Sequence, residues 1–148
     1  MNDGDIRSVA VYLKSLPEND TSTPDSQNAS LTADTTQLFS EGKRIYEAQC
    51  ASCHAVDGKG KLPNYPPLAN NQSTEMSSAV NPIRMVLNGG YPPGTQKNRM
   101  PYGMPPFSQS LSDVDIAAVV TYIRTAWGNS GAPVTTSEVN ALRAATLN

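Results

Sequence analysis

Cysteine and histidine are nearly absent from this 148-residue chain, which has two of one and one of the other. Two cysteines allow one disulfide at most, so the chain is no disulfide-built scaffold. Eleven Lys and Arg against thirteen Asp and Glu leave a net charge of -2. That balance gives no general pull toward nucleic acid or an anionic membrane, and no basic aromatic cluster appears. No apolar run is long enough to span a bilayer. Met1-Asn2-Asp3-Gly4-Asp5 lacks the basic and apolar regions of a secretory signal. A protein working outside the cytoplasm would have lost that signal or carry it upstream. Aromatics make up only 6 % and hydrophobic residues 38 %, with mean hydropathy -0.41, which reads as a soluble chain with a modest core. A buried cofactor would help such a chain fold. The length fits one domain with loose ends, or one domain plus a fragment.

What is present is concentrated. Both cysteines and the only histidine fall in Cys50-Ala51-Ser52-Cys53-His54. A C-x-x-C-H string reads as a c-type haem attachment site. Each thiol adds across one haem vinyl group, and two intervening residues set the sulfurs one helical turn apart. The next residue then places an imidazole under the iron. Three rival readings exist. A closed zinc site would need carboxylates for its remaining ligands. A thioredoxin-like redox pair would sit at a strand-to-helix junction, which nothing here resembles. A disulfide between residues three apart would staple little.

With His54 used, bis-histidine ligation within the chain is impossible, and methionine, a soft thioether, is the expected second ligand. Among Met1, Met76, Met85, Met100 and Met104, Met1 is remote in sequence, while Met76 and Met85 sit in short helical stretches, Met85 as core packing. Met100 and Met104 lie in Asn98-Arg99-Met100-Pro101-Tyr102-Gly103-Met104-Pro105-Pro106-Phe107, where proline stiffens an extended loop. Either could reach an iron or merely line a haem edge.

Leu38, Phe39, Gly42, Ile45, Tyr46 and Cys50 recur at helical spacing and predict an amphipathic helix into the motif. Gly42 in its middle predicts close contact with another helix. A polar loop rich in glycine and proline follows, through Leu62-Pro63-Asn64-Tyr65-Pro66-Pro67-Leu68. Asn81 as cap and Pro82 at the first position open a short helix with Ile83, Val86 and Leu87 inward, ended by Gly89-Gly90. Ser112-Asp113-Val114-Asp115 resembles a capping box for a helix that buries Ile116, Val119, Val120, Ile123 and Trp127, stopped by Gly128. A last helix runs from Thr135 or Thr136 through Leu142, with Glu138 completing its cap. No strand pattern appears, so the expected fold class is all-α around a cofactor.

The segment from Asn2 to Lys14 echoes that from Ser112 to Arg124, with Asp, Asp, Ile, Val and Tyr in register. It reads as the closing helix of a preceding copy of the same domain. The expected division is 1–16 for that fragment, 17–36 for a polar flexible linker, 37–131 for the main domain and 132–148 for a C-terminal extension with a short helix. The chain then reads as a fragment of a longer multihaem protein.

The quoted motifs resemble class I cytochrome c. Gly42-Lys43-Arg44-Ile45-Tyr46 is similar to that family's N-terminal helix, and Val119 and Tyr122 to the positions it crosses. Pro66-Pro67-Leu68 resembles the family's Pro-x-Leu, which implies that the Pro66 carbonyl accepts the imidazole N–H and that Leu68 packs on the haem. Val86-Leu87-Asn88-Gly89-Gly90, Met104-Pro105-Pro106-Phe107 and Trp127-Gly128-Asn129 resemble the third haem domain of triple-haem subunits of bacterial membrane-bound alcohol, gluconate and fructose dehydrogenases. The resemblance covers roughly residues 38 to 145. In that pattern the Met-Pro-x-Phe methionine is the iron ligand, which selects Met104 over Met100. It implies haem contacts at Cys50, Cys53, His54, Pro66, Leu68, Met104 and Tyr122, with His54 and Met104 on the metal.

The expected function is one-electron transfer by one covalently held haem c, without catalysis by the chain itself. Electrons would come from a dehydrogenase catalytic subunit or neighbouring haem domain and leave to another haem, a quinone or a respiratory acceptor. Tyr91, Arg84, Lys97, Arg99 and Trp127 are candidate propionate partners. Covalent attachment implies a periplasmic location. The alternatives are a haem with an open sixth site, for catalysis or gas sensing, and a module whose C-x-x-C-H is incidental.

Overall fold

The computed structural model describes residues 11, 31–91, 94 and 102–145, without the side chains of 31–34. Six helices with bounds fall among these residues: α1 Leu31–Gln49, α2 Ala51–His54, α3 Gln72–Glu75, α4 Val80–Asn88, α5 Asp113–Thr125 and α6 Thr136–Ala144. Among the described residues no strand forms, and pairing is confined to isolated bridges between Lys61 and Tyr65 and between Gly90 and Met104.

α5 is the axis of the molecule. The capping box is formed: the Ser112 hydroxyl accepts from the Asp115 N–H, and the Asp115 carboxylate accepts from the Ser112 N–H. Every residue from Ile116 to Arg124 is buried. The expected inward face holds only four of these. α1, α4 and α6 pack around α5 on several sides, so the helix is enclosed rather than amphipathic.

α1 crosses α5 at Gly42. A Cβ there would lie 2.1 Å from the Ala118 carbonyl oxygen and 2.8 Å from the Tyr122 Cβ. The close contact expected of Gly42 is therefore present, made by Ala118 and Tyr122, with Val119 buried beside them. Around it Phe39, Tyr46, Tyr122 and Trp127 form an aromatic cluster with centroid separations of 4.9 to 5.4 Å.

Two helix starts depart from expectation, and α5 ends at Thr125, three residues before Gly128. α1 begins at Leu31, so residues 31–36, expected as linker, are helical. α4 begins at Val80 after Ala79, which places Asn81 and Pro82 inside the first turn. Proline is tolerated there because first-turn N–H groups have no helical partner. The N-terminal echo lies outside the described residues except for Val11, which is exposed.

The C-terminal segment belongs to the same core. Val134 and Val139 are buried in it, and α6 is capped by Thr135 and Glu138 as expected. Arg143 bonds the Asp113 carboxylate at 2.6 Å and the Leu111 carbonyl at 2.9 Å, fastening α6 to the start of α5. Arg124 is 1 % exposed, yet its guanidinium faces carbonyls rather than a carboxylate. It donates to Ala132, Thr74 and Met76 at 2.8, 3.1 and 3.0 Å. Beside it, the buried Asn129 side chain donates to the Leu68 and Ile123 carbonyls and accepts from the Asn70 N–H. Together they tie the loop after Leu68 to the end of α5.

Candidate haem site

α1 ends at Gln49, and the chain turns through Cys50 into the single turn of α2 that carries Cys53 and His54. The His54 N–H bonds back to the Cys50 carbonyl at 2.9 Å, so the two thiols and the imidazole are presented by one helical turn. Ala55 then takes a positive φ of 62°. The Tyr46 hydroxyl donates to its carbonyl at 2.6 Å, and Trp127 Nε1 donates to the Val56 carbonyl at 3.2 Å. Two members of the aromatic cluster thereby hold the turn that ends the motif. Trp127 itself adopts φ 55°, unusual for a bulky residue, and its ring fills the space where a Cβ on Gly58 would lie.

His54 Nδ1 lies 3.0 Å from the Pro66 carbonyl oxygen. A carbonyl can only accept, so Nδ1 carries the proton and Nε2 is the atom able to bind a metal. Among the described residues the structure gives Nε2 no hydrogen-bond partner. Both cysteines are free and half-buried. Burial first, and then the neighbouring Cys53, pushes the Cys50 thiol up to about 11. A dithiol redox nucleophile has the opposite shift. Among the described residues no three His, Cys, Asp or Glu side chains gather into a metal-binding group, as a closed zinc site would require.

Met104 is half-buried against the core, along with Leu68 and Phe107. Its backbone is fixed on both sides: its N–H donates to the Gly90 carbonyl at 2.8 Å, and its carbonyl accepts from the Gly90 N–H at 3.0 Å. Gly89 permits this, since a Cβ there would lie 2.3 Å from the Met104 carbonyl oxygen. The Phe107 N–H bonds the Val86 carbonyl at 3.0 Å. The strap from Tyr102 to Phe107 is therefore laid on the C-terminal end of α4.

The structure brings His54 to Pro66 and sets Leu68 beside the core. Tyr122 lies in the crossing of α1 and α5, among Phe39, Tyr46 and Trp127. Of the candidate propionate partners, Trp127 spends its N–H on Val56, Tyr91 is 88 % exposed and Arg84 is exposed. Lys97, Arg99 and the competing Met100 lie outside the described residues. Tyr46 and Asn129 were missed as supports of the site. Tyr46 had a signal, its place one turn before Cys50. Asn129 had its place in the Trp127-Gly128-Asn129 motif, but nothing there pointed to its buried hydrogen bonds.

The residues fit a covalent haem. Two free thiols lie one turn apart beside an imidazole oriented through Nδ1, and a half-buried thioether on the strap is available as a further donor. Comparison with known proteins points the same way. The cytochrome c family model matches residues 39–127. The chain is similar to the cytochrome c subunit of a quinone-type alcohol dehydrogenase from Gluconacetobacter polyoxogenes, 36 % identical over 95 % of this chain and 31 % of the relative. It is similar to the gluconate 2-dehydrogenase cytochrome c subunit of Pantoea cypripedii, 36 % identical over 97 % of this chain and 34 % of the relative. Cytochrome c-552 of Thermus thermophilus is 36 % identical over 72 % of this chain and 87 % of its own length. The chain spans about a third of the length of the two dehydrogenase subunits. It belongs to the cytochrome c family, whose members carry covalently bound haem c and transfer electrons.

Proposed function

We propose that this chain is a one-electron relay domain in which Cys50 and Cys53 hold a single haem c and His54 and Met104 are its axial ligands. The observation that carries the reading is the 3.0 Å contact between His54 Nδ1 and the Pro66 carbonyl, which leaves Nε2 as the ligating atom. When bound, the haem supplies a ferric–ferrous couple whose potential the axial ligands and burial tune. The chain's own residues set that tuning. The Pro66 carbonyl makes the imidazole a stronger donor, and the thioether favours the reduced state. Leu68 and Phe107 keep water from the site. With His54 and Met104 both ligating the iron, the chain would perform no bond chemistry of its own.

The dehydrogenase subunits it resembles suggest the partners: a dehydrogenase catalytic subunit or adjacent haem domain as donor, and a quinone or respiratory acceptor reached through the full-length protein. Covalent haem attachment to a C-x-x-C-H motif suits a periplasmic location. Among the described residues no helix is long and apolar enough to cross a membrane.

The test is the absorption spectrum of the haem-loaded chain and of its Met100→Leu and Met104→Leu variants. Loss of the weak red ferric band of sulfur ligation in Met104→Leu alone supports the assignment. Loss in Met100→Leu alone moves the ligand but keeps the relay. A high-spin wild type that binds carbon monoxide readily at neutral pH would put catalysis or sensing first.

A further inference from the structure

Tyr65 and Tyr102 stack with ring centroids 5.4 Å apart and planes inclined by 14°. The two rings come from the two loops that carry the site. Tyr65 immediately precedes Pro66, the residue that holds His54. Its N–H and carbonyl both pair with Lys61 at 3.0 Å. Tyr102 stands two residues before Met104, in the strap that Gly90 fixes by its backbone. Tyr102 is 58 % exposed, so its ring contributes little to the core. A large aromatic side chain spent on a contact at the surface is better explained by what it joins than by the area it buries.

We infer that the Tyr65–Tyr102 stack is a clasp between the His54 loop and the Met104 strap, and that Tyr102 is a positioning residue for the thioether. The inference rests on the His54 and Met104 ligand reading. The backbone pairing at Gly90 sets where Met104 lies. The clasp sets how far the strap's other end can swing, and so how often the thioether leaves the iron. A contact of ordinary aromatic strength shifts such an on–off ratio about three- to tenfold.

Imidazole is the probe, because it can bind the ferric protein only when methionine is off, so its apparent affinity reports that fraction. In the haem-loaded full chain, Tyr102→Leu is expected to bind imidazole about three- to tenfold more tightly than wild type and to weaken the red sulfur band. Tyr102→Phe keeps the stack and should match wild type in both. Tyr65→Leu should reproduce the effect of Tyr102→Leu, and the double variant should exceed neither single one, as for two halves of one contact. A Tyr102→Leu protein with a lower urea midpoint but wild-type imidazole affinity would have lost only stability, and the clasp would fall while the ligand reading stood. A wild type without the sulfur band would overturn the ligand reading and the clasp with it.

Discussion

The imidazole of His54 is held by the carbonyl of Pro66 at 3.0 Å, and Gly60 makes room for that carbonyl. Gly60 has φ +69°, and a Cβ on it would lie 2.6 Å from both the carbonyl carbon and oxygen of Pro66 and 2.5 Å from the Tyr65 oxygen. The backbone conformation and the space both demand glycine. Gly60→Ala should push Pro66 away from His54 and weaken the hydrogen bond that enriches the imidazole. A poorer donor stabilises the ferric state less, so the potential should rise, by about 30–60 mV for a three- to tenfold shift. Redox titration of the haem-loaded variant checks this. A lower or unchanged potential would separate the Pro66 contact from the tuning of the iron.

Gly42 gives a test of the fold apart from the iron. Its missing Cβ is replaced in space by the Ala118 carbonyl, which is backbone inside a buried helix and cannot swing aside. Gly42→Ala gains intrinsic helix propensity of roughly 1 kcal/mol but must force α1 and α5 apart along their whole contact. We expect net destabilisation of about 1–3 kcal/mol, the usual range for overpacking, measured by urea unfolding of the haem-loaded chain. A more stable variant would mean that the crossing is looser than the structure has it.

The chemistry of the site was legible because it is local. Two thiols and an imidazole within five residues need no tertiary information to be recognised, and the capping residues of α5 and α6 act within a single turn. What was not legible depends on distant partners. The burial of Arg124 had no signal in the sequence, because arginine is ordinarily exposed, and only the carbonyls of Thr74, Met76 and Ala132 explain it. Trp127 reads as a propionate donor until Val56 is found in front of its N–H. Residues 31–36 read as linker because this Thr- and Asp-rich run carries no apolar period. The Tyr65–Tyr102 pair spans 37 positions that no spacing rule connects.

Arg124 supports a sharper stability prediction. Replacement by leucine removes the charge without difficulty but leaves the Thr74, Met76 and Ala132 carbonyls without their donor. Unmet buried acceptors make this costly, on the order of 3 kcal/mol, or a Tm lower by roughly 10–20 °C. Arg124→Lys keeps the charge but lacks the planar fork that reaches three separated oxygens, so it should recover less than half of the loss. Thermal unfolding of both variants decides it. Full rescue by lysine would show that charge, not the fork, is what the site needs.

The start of α5 should make the domain sensitive to acid. The Asp113 carboxyl is held below its ordinary value by the Asn140 amide and then by Arg143, and that of Asp115 by the Ser112 hydroxyl and N–H. Both lie in the first turn, where the helix dipole also favours negative charge. Folding thus favours the ionised forms. The stabilisation is fully present above the unfolded value, near 3.9, and is lost as pH falls through the lower folded values. The urea midpoint of wild type should therefore drop between about pH 5 and pH 2. An Asp113→Asn/Asp115→Asn variant should begin lower at pH 7 and fall less, because asparagine accepts hydrogen bonds without titrating. The two curves should converge in acid. Curves that stay a constant distance apart would show that these carboxylates act through shape alone, and that the acid limb arises elsewhere in the fold.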